Sequence, residues 1–229
     1  MVVKFRNLEK EIKAVIFDMD GVLVDSIPAH KESFNEVLGE IGLPPMADDF
    51  YLQVVGKNTR VIIESYGDHY HLNLTGKQID EILHSKVSIF SEKIRQIGQP
   101  APGVIEWLSF LQKNKIPCSV ASSSSMENII FILGVLKIAN FFSSIISGTY
   151  LPAGKPDPQI FLSAAASLGE DPTCCLVIED APVGIQAAKS AGMICCAIAS
   201  TYPKDLLKDA DFIFNSLALI SPVVLFEIN

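Results

Sequence analysis

Two pairs of acids stand at the ends of apolar runs in this chain of 229 residues. Asp18 and Asp20 follow Ala14–Phe17 in IKAVIFDMDGVLVDS, residues 12–26, and Glu179 and Asp180 close CCLVIED, residues 174–180. A short apolar run of this kind reads as a buried parallel strand. In open α/β sheets, ligands bind just beyond the carboxyl ends of such strands. Carboxylates held so close repel one another unless something compensates their charge, and a divalent cation would do so. Gly21, after the first pair, lets the chain turn sharply. The second pair has a competing reading, because Pro182 opens a helix and acids are common before helices. Adjacent side chains on a strand point to opposite faces, so Glu179 and Asp180 approach one ion only through a turn.

Two further stretches carry chemistry-bearing residues. In VASSSS a strand ends at Ala121 and Ser122 follows, ahead of a helix. A helix start offers free amides and a favourable dipole to an anion, while a serine there serves equally as an ordinary N-cap. In GKPDP, Lys155 lies in a Gly/Pro-rich loop before another helix. By itself it reads as a solvated lysine in a turn.

The elements that must position these residues alternate between strand and helix. GVIEWLSFLQKNK, IPCSVA, SSSSMENIIFILGVL, FFSSIIS, GKPDPQIFLSAAASLG, CCLVIED, PVGIQAAKSAG, MICCAIA and DFIFN follow one another in that sense. The pattern predicts an α/β, Rossmann-like parallel sheet with helices on both faces. Ser124 with Glu127 has the spacing of a capping box, and Asp157 followed by Pro158 reads as an N-cap before a first-turn proline. Between the first strand and QPAPG, residues 99–103, the texture differs. AHKESFNEVLGEIGL, NTRVIIESY and KQIDEILHSKVSIFSEKI carry apolar residues at helical spacing, and Thr75 with Gln78 starts the last of them with a capping box. We therefore expect a core of residues 1–27 and 99–229, with a small helical cap domain, residues 28–98, inserted after the first strand. Residues 1–11 read as a lead-in, and GVLVDS as a short flap.

Composition excludes other classes. The net charge of −8 argues against nucleic-acid binding, which needs a basic patch. The absence of a long apolar segment argues against a membrane span or signal peptide. Cys118, Cys174, Cys175, Cys195 and Cys196 form no CxxC and lie in apolar runs. They read as reduced core residues of a cytoplasmic protein rather than as a zinc site. The expected assembly is a monomer or weak dimer.

IKAVIFDMDGVLVDS closely resembles motif I of the haloacid dehalogenase superfamily. Ser122 in VASSSS, Lys155 in GKPDP and the acids of VIEDAPVGIQAAKSAG resemble its motifs II, III and IV, in order along the chain. The resemblance implies that Asp18 is the nucleophile and Asp20 the general acid and base. Ser122 and the amide of Ser123 would bind the transferring phosphoryl group, and Lys155 would neutralise nucleophile and phosphate. Asp18, the backbone carbonyl of Asp20 and Asp180, with Glu179 in support, would hold Mg2+. The helical insertion resembles the cap of the subgroup that contains β-phosphoglucomutase and many small-phosphate phosphatases. His30 falls where the mutase carries a histidine just inside the cap, which makes it a candidate substrate-binding residue, and it reads equally as a helix-surface histidine. His69, His71 and His84 fit a cap loop or helix face.

The implied activity is Mg2+-dependent hydrolysis of a small phosphomonoester, such as a sugar or polyol phosphate, through an aspartyl-phosphate. The alternative is a β-phosphoglucomutase-like sugar phosphomutase. One departure favours hydrolysis. Where the mutase places an arginine three residues after a cap glycine, GKNTR places Thr59 after Gly56, with Arg60 one residue later. On a helix one residue is a turn of about 100°. A dehalogenase needs neither metal nor Asp20, and a binding protein on this fold would lack a catalytic acid, whereas none is missing here.

Overall fold

The computed structural model describes residues 11–224. The lead-in expected over residues 1–11 lies outside them except for its last residue. The described chain forms two compact units. One takes the chain up to Asp25 and resumes at Gln99, and the other is Ser26–Gly98.

In chain order, β1 (Ala14–Phe17) is followed by α1 (Ile27–Glu40), α2 (Asp48–Val54), α3 (Thr59–His69) and α4 (Gly76–Ile97), the helices of the inserted unit. The first unit resumes with α5 (Val104–Lys113), β2 (Cys118–Ser122), α6 (Met126–Val135) and β3 (Ser144–Ser147). Then come α7 (Gln159–Leu168), β4 (Cys175–Glu179), α8 (Pro182–Ser190), β5 (Ile194–Ile198) and β6 (Phe212–Phe214). Among the described residues these strands make one sheet of order β3-β2-β1-β4-β5-β6, every pairing parallel. The expected parallel α/β core is therefore present.

Strands buried on both faces need continuous apolar runs rather than alternation. All of β1, β2, β4 and β5 is buried in this way. The strand order reverses between β1 and β4: from β1 the chain builds outward to β2 and β3, then returns to build β4, β5 and β6 on the other side. That crevice is where open α/β sheets place ligands. Residues just past β1 and β4, in register through Phe17 and Ile178, are delivered to it.

Local expectations shift at three places. The cap of α6 is Ser125, whose hydroxyl accepts from the Asn128 amide at 3.3 Å, not Ser124 with Glu127. Strand β2 continues through Ser122, and leaving it consumes two further serines before the helix can start. Helix α7 begins at Gln159, with Pro158 at the cap position and Asp157 Oδ1 accepting from the Gln159 amide at 2.9 Å. The segment GVLVDS is a buried turn rather than a flap. The Leu23 amide donates to the Met19 carbonyl at 2.9 Å, and Val22, Leu23 and Val24 are all buried.

In the inserted unit, α4 starts at the expected capping box: the Thr75 hydroxyl accepts from the Gln78 amide and the Gln78 side chain accepts in return. Its inward stripe is Ile79, Ile82, Lys86, Phe90 and Ile94, the spacing of one helix face. It packs on α1, where Lys93 pairs with Glu32 and Glu36 at 3.2 and 3.4 Å. Helix α2 has no side-chain cap, and its start is marked only by the first-turn acids Asp48 and Asp49. Among the described residues no helix is long and apolar enough to cross a membrane.

Candidate active site

Asp18 is the first residue beyond β1, and its amide donates to the Ile178 carbonyl at 2.9 Å. The two strand ends at the switch point are thereby stitched together. Lys155 reaches the same place from the loop before α7. Its Nζ lies 2.5 Å from Asp18 Oδ1 and 2.6 Å from Glu179 Oε1, and the lysine side chain is only 4% exposed. The surface-lysine reading of GKPDP is thus excluded.

Glu179 ends β4 and folds back over the start of α8. Its Oε2 accepts from the amides of Asp180 and Ala181 at 2.7 and 2.8 Å, so the turn that opens α8 and the lysine clamp share one carboxylate. A side chain at Gly184 would forbid this fold-back, because a Cβ there would lie 1.7 Å from Glu179 Oε1. Asp180, 3% exposed, accepts from the Thr201 hydroxyl at Oδ2. Gly21 has φ +82°, and a Cβ on it would fall 2.0 Å from that same oxygen. The turn after Asp20 therefore needs glycine twice, for its backbone angle and for the acid lodged against it.

Burial governs the electrostatics. It pushes the Asp18 carboxyl up to about 7; Lys155 opposes the shift and Glu179 and Asp20 add to it. Burial, then Glu179 and Asp18, hold Asp180 well above the ordinary carboxylate range against the Thr201 hydroxyl and Lys155. For Lys155 burial disfavours the charge, but Asp18 and Glu179 outweigh it and raise the ammonium above its usual value. Fully ionised, three buried carboxylates face one ammonium, a surplus of two negative charges. Among the described residues no three acidic, histidine or cysteine side chains converge into a full metal cage. A Mg2+ site does not require one, since that ion is commonly held by one or two carboxylates with waters and phosphate.

The serine loop faces this centre from β2. Ser122 is buried and its hydroxyl accepts from the Ser124 amide at 3.1 Å. The Ser147 hydroxyl, from the end of β3, donates to the Ser124 carbonyl at 2.7 Å. Ser124 in turn donates to Asp20 Oδ2 at 3.3 Å. Ser123 is half-buried in the same loop. Asp18, Asp20, Ser122, Ser123, Lys155, Glu179 and Asp180 thus all belong to the first unit and gather around the ends of β1, β2 and β4.

His30 belongs to the inserted unit. Its ring stacks on Phe90 at 4.0 Å, and its Nδ1 lies 2.7 Å from Lys86 Nζ. Lys86 is 4% exposed, and its ammonium sits over the Phe34 and Phe90 rings. With Lys86 as an ammonium, which only donates, Nδ1 is the acceptor of this contact. His30 is half-buried on α1, with one ring face against Phe90. His69, His71 and His84 are exposed. Arg60 pairs with Asp80 of α4.

Sequence reasoning missed two residues of interest. Lys86 had a signal: it is a lysine on the apolar stripe of α4. Thr201, in the loop after β5, had none.

Sheet order, buried acids and a lysine clamped between them at the switch point together define an α/β enzyme. Residues 15–198 match the model of the haloacid dehalogenase-like hydrolases, and the chain belongs to that family. It is similar to a phosphorylated carbohydrates phosphatase from Thermotoga maritima, at 32% identity over 80% of this chain and 82% of the relative. It is also similar to a β-phosphoglucomutase from Bacillus subtilis, at 34% identity over 84% and 85% of the two chains. Among solved structures it resembles a β-phosphoglucomutase from Clostridium difficile, with a TM-score of 0.81, 25% identity, and 90% and 92% of the chains covered.

Proposed function

We propose that this hydrolase is a Mg2+-dependent phosphatase acting on a small phosphomonoester, a sugar or polyol phosphate, with Asp18 as nucleophile. The observation that carries the reading is the buried centre itself: Lys155 bridging Asp18 and Glu179 at 2.5 and 2.6 Å, beside Asp180, at the switch point. The donor set fits the ion. Carboxylates of Asp18 and Asp180 and the carbonyl of Asp20 are hard oxygens, and their uncompensated charge calls for a divalent cation. Glu179, with both oxygens engaged, supports this set through Lys155 and the Asp180 amide. When bound, Mg2+ would offset charge on the phosphoryl oxygens.

Asp18 attacks phosphorus in line, an Asp18 O–P bond forms and the P–O bond to the alcohol breaks. Asp20 gives its proton to the departing oxygen. Water then attacks phosphorus, Asp20 takes a proton from it, and phosphate leaves with Asp18 regenerated. Dividing the displacement in two lowers each barrier. Lys155, Ser122 and the Ser123 amide act as preorganised donors to the transferring group. His30 keeps the substrate-binding role that the family resemblance implies. The five cysteines are all free thiols, which fits a reducing, cytoplasmic setting.

Names of relatives support the substrate class: besides the carbohydrate phosphatase, the chain is 27% identical to a hexitol phosphatase B of Escherichia coli. The mutase relative keeps a second reading open, and the arginine bears on it. Thr59 is the first residue of α3 and Arg60 pairs with Asp80, so the cation nearest the mutase position is already engaged. The test is a panel of phosphorylated sugars and polyols, with and without Mg2+. β-Glucose 1-phosphate is included with a trace of the bisphosphate, while phosphate and glucose 6-phosphate are followed together. Phosphate release from several monophosphates, abolished by chelation, is expected. Glucose 6-phosphate forming much faster than phosphate would overturn the hydrolase reading.

A further inference from the structure

We propose that Thr201 is a positioning residue that sets which divalent ion the enzyme prefers, by confining Asp180 to a single metal-facing oxygen. The inference rests on the metal reading above and goes beyond it. Three contacts define the device. The Thr201 hydroxyl donates to Asp180 Oδ2. That oxygen is lodged against the Gly21 turn, where an added Cβ would lie 2.0 Å from it and 2.8 Å from Thr201 Oγ1. The neighbouring Ser200 hydroxyl donates to the Gly21 carbonyl at 2.6 Å, clipping the loop after β5 to the turn that follows Asp20. Tyr202, the next residue, is buried at 8% exposure.

Oδ2 already accepts from Thr201 and packs against the Gly21 turn; on this proposal Oδ1 is therefore the oxygen that Asp180 gives to a cation. Mg2+ demands near-octahedral geometry with short contacts, whereas Ca2+ takes more oxygens and accepts carboxylates with both oxygens at once. A carboxylate pinned through one oxygen suits the first ion and denies the second its two-oxygen contact. Releasing the pin costs Mg2+ a fixed ligand, typically about 10- to 100-fold in affinity for such a supporting hydrogen bond. Ca2+ regains part of its loss by engaging both oxygens.

The experiment uses the metal-stripped full chain, titrated calorimetrically with Mg2+ and separately with Ca2+. Wild type, Thr201→Val, Thr201→Ala and Thr201→Ser are compared, with folding of each verified by thermal melting. Thr201→Val and Thr201→Ala should weaken Mg2+ binding about tenfold or more and lower the Mg2+-to-Ca2+ affinity ratio. Thr201→Ser, which keeps the hydroxyl, should hold the wild-type ratio. If Thr201→Val does not fold, Thr201→Ala removes the same hydroxyl without the branched bulk and decides the matter. Equal weakening of both ions, or an unchanged ratio in a folded variant without the hydroxyl, would overturn the proposal. Failure of the wild type to bind Mg2+ at all would instead overturn the metal reading on which it rests.

Discussion

Replacing Gly184 by alanine perturbs the site without touching a reacting group. The new Cβ would lie 1.7 Å from Glu179 Oε1 and 2.0 Å from its Cδ. Glu179 has no room to yield: it is 1% exposed and held by Lys155 and two amides. Either the helix shifts, an overpacking cost of about 1–3 kcal/mol, or the carboxylate leaves. Its departure breaks a buried ion pair, which costs about 3–5 kcal/mol. Alanine is the better helix former by about 1 kcal/mol, so the first route nets about 0–2 kcal/mol and the second about 2–4 kcal/mol. For a protein of this size each kcal/mol moves the midpoint by about 2–4 °C, giving a fall of about 4–16 °C if the carboxylate leaves. Because Lys155 loses a partner, turnover should fall with stability. Gly134, on α6, is the control: nothing lies within 4 Å of a Cβ there, and Gly134→Ala should be neutral or stabilising by up to about 1 kcal/mol. Calorimetric melting and aryl-phosphate turnover of both variants read the outcome. A Gly184→Ala protein with wild-type kcat would refute the departure of the carboxylate, and one that melts above wild type would refute the clash itself.

Other outcomes follow from the same geometry. The Asp18 carboxyl is raised from 3.8 to about 7, so between those values the metal-free folded state holds a proton that the unfolded chain has lost. Its contribution to stability is therefore greatest below about pH 4 and falls as pH rises toward 7. Urea unfolding of metal-stripped protein at pH 5 and 7.5 should show that component, and Asp18→Asn should abolish it; an identical pH dependence in both proteins would contradict the assignment. Mg2+ should raise the melting temperature more at pH 7.5 than at pH 5, since ionised ligands bind it better; a larger rise at pH 5 would count against carboxylate ligation. Arg60 makes a half-exposed pair with Asp80, worth at most about 1 kcal/mol. Arg60→Ala should leave monophosphate hydrolysis within about threefold of wild type, a shift under 1 kcal/mol, and a collapse of kcat/KM would assign the arginine to substrate.

What could be seen in advance depended on how local its cause was. Asp18 and the motif IV acids were visible because apolar runs end at them, and strand ends are where α/β sheets put ligands. The sheet was visible because fully buried strands show as continuous apolar runs. Lys155 stood out only through its family resemblance, since its burial depends on Asp18, far away in the chain. The cap of α6 was misplaced by one residue because a capping pattern does not count the residues needed to leave the preceding strand. Thr201 was invisible: an unpatterned loop gains its place only because β5 pairs with β4. Lys86 was overlooked although it occupies an apolar stripe between Ile82 and Phe90, where a lysine must either leave the stripe or be held for a reason.

The central claim is that phosphate passes through Asp18. Wild-type enzyme mixed with excess phosphomonoester and Mg2+ is quenched in acid within milliseconds, and the acyl phosphate is reduced with borohydride, which converts a phosphorylated aspartate to homoserine. Peptide mass spectrometry then locates the conversion. The account predicts it at Asp18, absent when the ion is chelated and absent in Asp18→Asn. Turnover at full rate with conversion at another carboxylate would contradict it.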